Sequence, residues 1–471
     1  MAYNAPPHFV RFDLPWILLP MCFRLIAILF LFSPALWIGG SPTQAQDAVA
    51  EFVIPATDDG LPGAGPIRRY EWFRNLWAKR RAEFANRAAQ ERGGVVFLGD
   101  SITQGWGDDF RDDFGKLVVA NRGISGDTTR GMLIRLQQDV LDLEPSAVVM
   151  LMGTNDLEEG AEPETIAANI KQIIGALKAS SNSMPIILCQ VFPSSVSKKR
   201  PAEKIRKLNQ LIAADVKGDK QVTVVDTCTM FADANGDAKK EEFPDLLHPN
   251  RSGYEKWRGA IWPILATHGF VDKDSTPIEM EPGFEPLFNG KDLSGWGFRP
   301  TSEKMRKGRA RWLGRDPENA PAWPLVEQAV AFDGQTETPD GRYLATNGRL
   351  VVTTPPEGRK IQQLWTTREF DGNFELRLEF RATPNADSGV FLREPQLQCR
   401  DYALAGPYKD LQQYRAGDWN ELVVTVKDGV AHCSCNGEVI EPALKVPATG
   451  PIGLEGDRGQ VEYRNIRLKQ L

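Results

Sequence analysis

Five short runs of nearly unbroken apolar residues set the strongest limit on this chain: "VVFLG" (95–99), "KLVVANRG" (116–123), "AVVMLMG" (147–153), "PIILCQV" (185–191) and "VTVVD" (222–226). Between them lie segments of helical periodicity such as "ETIAANIKQIIGALKAS" and "PAEKIRKLNQLIAADVK". A strand that is apolar on both faces must be covered on both, and helices alternating with such strands supply the cover. The pattern predicts a parallel sheet in a three-layer α/β domain over residues 67–270. It opens on an amphipathic helix at 67–92, in which Trp72, Phe73, Leu76 and Trp77 read as packing residues.

A chain of 471 residues exceeds one ordinary core. Residues 271–282, rich in proline and acid, read as a linker. Over 283–471 the rhythm changes to short alternating strands with hairpin signals at Asp428-Gly429 and Asn436-Gly437, which predicts an all-β sandwich or jelly roll. At the other end, Arg24, the apolar stretch Leu25–Gly40 and Thr43-Gln44-Ala45 have the order of a secretory signal, with cleavage after Ala45. Met21 gives a more ordinary signal start than Met1. The expectation is therefore export to a periplasmic or extracellular space, with no stable membrane span after cleavage. A net charge of −6 offers polyanions no general attraction, so nucleic acid is not an expected partner.

Removing residues 1–45 leaves five cysteines, an odd and sparse set. Cys433 and Cys435 share one face of a strand, read as small apolar packing rather than a pairing with Cys399. Neither cysteine nor histidine spacing matches a zinc site, so no metal is expected. "DANGDAKKEEF" (233–243) has calcium-loop composition without the required glycine and acid positions. "KMRKGRARWLGR" (304–315) reads as a solvated basic loop.

In a parallel sheet, the loops after the strands converge on one crevice. Ser101 follows the first strand, "NRGISGDTT" the second, "GTND" (153–156) the third and "FPDLLHPN" (243–250) the fifth. A serine hydroxyl needs a base, an orienter for that base and donors for the oxyanion it creates. His248, Asp245 and the trio of Ser101 N–H, Gly126 N–H and Asn155 amide answer those needs. Taken singly, each has a plainer reading: Ser101 as a helix cap, Asn155 as a turn residue, His248 as a surface group.

"GDSIT", "NRGISGDTTRG", "GTND" and "DLLHPNRSGY" resemble the four sequence blocks of the SGNH hydrolases, also called GDSL-like lipases and acylhydrolases, most closely their platelet-activating-factor acetylhydrolase-like branch. The resemblance implies a flavodoxin-like domain working without a cofactor, Ser101 as nucleophile, Asp245 and His248 completing a triad, and Ser101, Gly126 and Asn155 as the oxyanion hole. "FEPLFNGKDLSGW", "FELRLEFRATPNADSGVFLR", "GDWNELVVTV" and "GPIGLEGDRGQVEYRNIRLKQL" resemble the 3-keto-disaccharide hydrolase family, which implies a concanavalin-like jelly roll. That family's Glu-x-Gln-x-x-Asp pattern is met here by Gln398 and Asp401, with Gln396 in place of the acid. Sugar binding by Gln398 and Asp401 is thus the expectation; Trp419, Tyr402 and Tyr408 are stacking candidates if exposed, although each taken singly reads as core or turn packing. The combined reading is an exported serine esterase that deacetylates an acylated small molecule or carbohydrate. The alternatives are a non-catalytic carbohydrate binder and a 3-keto-glycoside hydrolase with its catalyst in the C-terminal domain. Oligomeric state is not legible.

Overall fold

The computed structural model describes residues 52–272, 280–315, 317, 325–354 and 362–471. The expected signal segment, residues 1–45, and residues 273–279 of the linker lie outside them. From Asp47 onward the chain forms one compact unit.

The apolar runs become β1 (Val95–Gly99), β2 (Val119–Gly123), β3 (Ala147–Leu151), β4 (Ile186–Cys189) and β5 (Val222–Val225), all parallel, in the order β2-β1-β3-β4-β5. Their helices are α1 (Glu71–Glu91), α2 (Ser101–Gln104), α3 (Thr129–Asp139), α4 (Thr154–Glu158), α5 (Pro163–Ser180), α6 (Ala202–Asp215) and α7 (Arg251–Thr267). Successive strand side chains point to opposite faces, so β1 feeds two cores. Val96 and Leu98 pack with Val148, Met150 and the apolar sides of α3, α5 and α6. Val95 and Phe97 pack on the other face with Val149, Trp106, Phe114 and the Trp257 and Ile261 of α7. Each such fully buried side chain contributes about 1.5 to 3 kcal/mol.

The C-terminal half is a sandwich of two mainly antiparallel sheets. In chain order its strands are β6 (Glu285–Pro286), β7 (Trp296–Phe298), β8 (Val330–Ala331), β9 (Tyr343–Thr346), β10 (Arg349–Val352), β11 (Leu364–Thr366), β12 (Phe370–Asp371), β13 (Phe374–Ala382) and β14 (Asp387–Leu392). There follow β15 (Gln396–Gln398), β16 (Asn420–Lys427), β17 (Val430–Cys435), β18 (Glu438–Lys445), β19 (Thr449–Gly450), β20 (Ile452–Arg458) and β21 (Val461–Gln470). One sheet runs β18-β17-β16-β13-β21-β10-β9 with β6 added on β21; the other runs β15-β14-β20-β11-β7-β8. Leu376, Leu378 and Phe380 of β13 meet Val390 and Leu392 of β14 and Leu454 of β20 in a single core. Both hairpin signals form turns, with positive φ at Asp428, Gly429, Asn436 and Gly437 as two-residue hairpins require. The five described cysteines are free, and Cys433 and Cys435 are buried in the core together.

Residues 304–315, expected as a loop, instead belong largely to a helix, α8 (Glu303–Leu313). The Ser302 hydroxyl caps it by accepting from Met305 N–H, and Glu303 and Arg311 match the dipole at its two ends. None of its residues is buried, so its basic side chains do stay in solvent.

The two domains are pinned by polar contacts along α7. Arg349 donates to the Ala266 carbonyl at 3.0 Å, and Gln460 to the Pro263 carbonyl at 3.0 Å and the Thr267 hydroxyl at 2.9 Å. Arg349 and Arg381 converge on the fully buried Glu462, with Asp272 nearby. At the carboxyl end of β5, Asn385 donates to Asp226 at 2.9 Å. Arg349, Arg381 and Glu462 lie on the outer face of the eight-stranded sheet, with Asn385 and Gln460 in turns at its edge, so the outer face of the six-stranded sheet points away from α7.

Candidate functional site

Ser101 stands at the first position of α2, directly after β1. Asp100 caps that helix, accepting from Ile102 N–H at 2.9 Å, so the capping task falls to the aspartate and leaves the serine hydroxyl uncommitted. From below, Tyr254 of α7 donates to the Ile102 carbonyl at 2.8 Å, within an aromatic cluster of Phe97, Trp106 and Trp257. The serine is thereby mounted on a packed floor.

His248 Nε2 lies 3.0 Å from Ser101 Oγ, and its Nδ1 lies 2.8 Å from Asp245 Oδ2. Asp245 Oδ1 also accepts the N–H groups of Leu247 and His248, at 3.0 and 2.7 Å. Burial pushes the Asp245 carboxyl up, but these hydrogen bonds outweigh it and hold the group below the usual carboxylate range. The loop between the two residues passes through Leu246 at φ +64°, where a leucine costs about 1 to 2 kcal/mol. Ser194 fixes that turn by donating to the Leu246 carbonyl at 2.7 Å. The Asp245 and His248 side chains are 45% and 44% exposed, so the trio lies in an open trough rather than a closed chamber.

Gly126 and Asn155 are both buried, and the loop before Gly126 is tied to the helix that opens on Ser101, since Ser125 N–H donates to Gln104 Oε1 at 2.6 Å. The N–H groups of Ser101 and Gly126 donate to no acceptor among the described residues. Asn155 Nδ2 donates one hydrogen to the Asp127 carbonyl at 2.9 Å and has a second to offer. Gly126 is a glycine for two local reasons. Its φ is +87°, and a Cβ there would sit 2.7 Å from Trp72 Cη2 and 3.0 Å from Arg68 Nη1. Neighbouring carboxylates brace these loops: Asp127 binds Arg135, and Asp156 accepts Thr129 N–H and its hydroxyl. Burial pushes the carboxyls of Asp100 and Asp156 up to about 6.

Trp72 corrects its expected role. It is 53% exposed and stacked 6.4 Å from the equally exposed Tyr70, with the two rings 11° apart, on the side of the site where Gly126 lies. The first turn of α1 extends past the core that buries Phe73 and Trp77, which leaves both rings facing solvent.

In the C-terminal domain, Gln398 and Asp401 part company. Asp401 is buried and caps the short helix α9 (Tyr402–Ala405), accepting from Ala403 and Asn385 N–H groups, so its oxygens are committed within the protein. Tyr402 is fully buried, which is its packing reading rather than the stacking one, and Tyr408 is half-buried with its hydroxyl donating to Glu441. The Trp419 ring is covered by Arg381 and Arg464 at 4.7 and 4.1 Å. Gln398 does lie on the outer face of the six-stranded sheet, beside Gln396, which donates to Glu455 on β20. Sequence reasoning missed Glu455, because only strand register brings it opposite the 396–398 run. On the same face Trp365 packs over Gly453 and against Phe391, 5.0 Å away. Trp365 also borders a cleft of about 540 Å³ shared with Phe298, Arg299 and Val330. Among the described residues, no group of three or more His, Cys, Asp or Glu side chains is placed to hold a metal ion, and no helix is long and apolar enough to cross a membrane.

A model of the GDSL-like Lipase/Acylhydrolase family matches residues 97–256, and one of the 3-keto-alpha-glucoside-1,2-lyase-like domain matches 283–469. The chain is 28% identical over 192 residues to platelet-activating factor acetylhydrolase IB subunit alpha1 of Bos taurus, covering 40% of this chain and 82% of that one. It is 29% identical over 183 residues to the alpha2 subunit of Homo sapiens, covering 38% and 79%. A GDSL-like lipase from Bacteroides thetaiotaomicron is a similar solved structure, 27% identical, covering 40% of this chain and 98% of that one, with a TM-score of 0.37. The chain thus joins a GDSL-like lipase/acylhydrolase domain to a 3-keto-alpha-glucoside-1,2-lyase-like domain, and it is a hydrolase of ester bonds.

Proposed function

We propose that the protein is an exported serine esterase that removes short acyl groups, acetyl first, from a carbohydrate. The observation that carries this reading is the unbroken relay from Ser101 Oγ through His248 to Asp245, at 3.0 and 2.8 Å. Ser101 Oγ attacks the ester carbonyl while His248 Nε2 takes its proton. The carbonyl oxygen becomes an oxyanion held by the N–H groups of Ser101 and Gly126 and by Asn155 Nδ2. Collapse breaks the bond to the alcohol, which leaves with the proton from His248. Water, deprotonated by the same imidazole, then releases the acid and restores the serine. Asp245 keeps the ring in the tautomer that presents a lone pair at Nε2 and stabilises the imidazolium.

Three facts favour a sugar ester over a long-chain lipid. The trough is open, the exposed apolar surface beside Gly126 is the flat Tyr70–Trp72 pair suited to stacking on a pyranose, and the companion domain matches a model named for a glucoside lyase. Relatives named for acetylhydrolase activity favour acetyl. Export rests on residues 24–45, and N-terminal sequencing of the protein recovered outside the cytoplasm tests it. The catalytic claim is tested by p-nitrophenyl acetate hydrolysis: activity that persists in Ser101→Ala refutes it. A screen of acetylated polysaccharides and esters of graded chain length tests the substrate claim, and a preference for long acyl chains overturns it.

A second reading is favoured by one observation, the Gln396, Gln398 and Glu455 row on the outer six-stranded face. Glu455 supplies across the sheet the acid that position 396 lacks, which suits the C-terminal domain to bind or cleave a glycoside. Loss of 3-keto-glucoside turnover or binding in Glu455→Ala, with esterase activity kept, is its expected sign.

A further inference from the structure

The Asn155 amide is gripped from two sides. Its Nδ2 donates to the Asp127 carbonyl at 2.9 Å, and its Oδ1 accepts from Arg200 Nη2 at 3.1 Å. Turning the amide over would set oxygen against a carbonyl and NH2 against a guanidinium, so both partners enforce one orientation. Arg200 is itself nearly immobile. Its side chain is 2% exposed, its Nε donates to the Thr154 carbonyl at 2.9 Å, its Nη1 to the Lys198 carbonyl at 2.6 Å, and its Nη2 reaches Glu158 at 2.8 Å. A guanidinium can serve four acceptors at fixed angles; an ammonium cannot.

Glu158 does a second job. The same carboxylate takes Arg68, whose Nη1 lies beside the Cβ direction of Gly126. One acid at the end of α4 therefore ties the arginine behind Asn155 to the arginine beside Gly126.

We propose that Arg200 is a positioning residue for ester hydrolysis: it holds the Asn155 amide with Nδ2 turned toward the oxyanion, and Glu158 holds Arg200. This rests on the reading of Asn155 as an oxyanion donor. A donor aimed in advance at charge that develops only in the transition state acts on kcat and leaves KM nearly untouched.

The test is a double-mutant cycle on the full chain, with p-nitrophenyl acetate as substrate and thermal unfolding as a control. Asn155→Ala is expected to lower kcat by about 10² to 10³. Arg200→Gln is expected to lower it about tenfold with KM within about twofold, and Arg200→Lys by less. In the Asn155→Ala background, Arg200→Gln is expected to add no further loss. An equal loss in both backgrounds, or wild-type kcat in Arg200→Gln, overturns the role of Arg200 alone. Wild-type kcat in Asn155→Ala, beside an inactive Ser101→Ala, overturns the reading of Asn155 and the inference with it. If Arg200→Gln does not fold, the same cycle run with Arg200→Lys separates the same outcomes.

Discussion

Replacing Asp245 by Ala is expected to weaken the esterase far less than in an enzyme whose triad is closed off from water. Ala, unlike Asn, sets no amide N–H against His248 Nδ1, so the ring is not forced into the tautomer that protonates Nε2. The N–H groups of Leu247 and His248 lose their acceptor, and thermal stability is expected to fall by about 1 to 2 kcal/mol. What catalysis loses is the negative charge 2.8 Å from His248 Nδ1. At contact distances near 4 Å that charge stabilises an imidazolium by about 1 kcal/mol in water and about 4 kcal/mol in the half-shielded setting of a protein surface. With the two side chains 45% and 44% exposed, solvent and salt screen the pair, and the expected loss falls between these limits, near 2 kcal/mol. That is about thirtyfold in kcat. The assay is p-nitrophenyl acetate turnover at pH 8 in low and high salt, beside His248→Ala, for which the loss is several orders of magnitude larger. Equal losses in Asp245→Ala and His248→Ala would refute the argument from exposure, and a loss under twofold would remove Asp245 from the relay.

Other expectations follow from the same geometry. Trp72→Ala should raise KM for a carbohydrate ester several-fold while leaving p-nitrophenyl acetate kinetics within about twofold, because only the larger alcohol reaches the Tyr70–Trp72 pair; an unchanged KM on both removes the platform. Asp100 carries a carboxyl pushed up to about 6 by burial, against an unfolded value near 4, so its ionisation destabilises the fold increasingly as pH rises through that window. Asp100→Asn should therefore gain stability over wild type between pH 4 and 7, to at most about 3 kcal/mol, as read by denaturant unfolding at pH 4 and pH 8; a constant difference between them defeats the assignment. Glu462→Ala leaves Arg349 and Arg381 buried without their shared acid, with Asp272 as partial relief, and is expected to destabilise by about 3 kcal/mol in urea unfolding. A change below about 1 kcal/mol would mean that water already reaches the pair.

The central sheet is legible because its strands are continuous apolar runs, and position along the chain alone puts Ser101, Gly126, Asn155 and Asp245 with His248 at strand ends. What eludes the sequence depends on the third dimension. Helical periodicity identifies the face of α1 but not where its cover stops, so Trp72 reads as packing although its turn overhangs the site. Arg68 and Arg200 look like ordinary surface cations until Glu158 gathers them. Glu455 is more than fifty residues from Gln396, and only the pairing of β14 with both β15 and β20 makes them neighbours. Asp401 fits a family pattern yet serves as a helix cap, a role that the same residue type fills equally well. The basic run at 304–313 is helical because capping and propensity suffice without an apolar stripe, which was the signal its composition lacked.

The way Glu462 anchors the sandwich has a bearing on scale. With the eight-stranded sheet fixed to α7, the Gln398 and Glu455 face stands on the far side of a bilayer of strands about 10 Å thick. If the ester substrate is the carbohydrate proposed above and this face also binds it, a polymer long enough to bend around that thickness engages both places at once, and the second engagement then benefits from a high effective concentration without any new contact. On that reading the chain length of the glycan, more than its composition, is the variable to which the paired arrangement should respond.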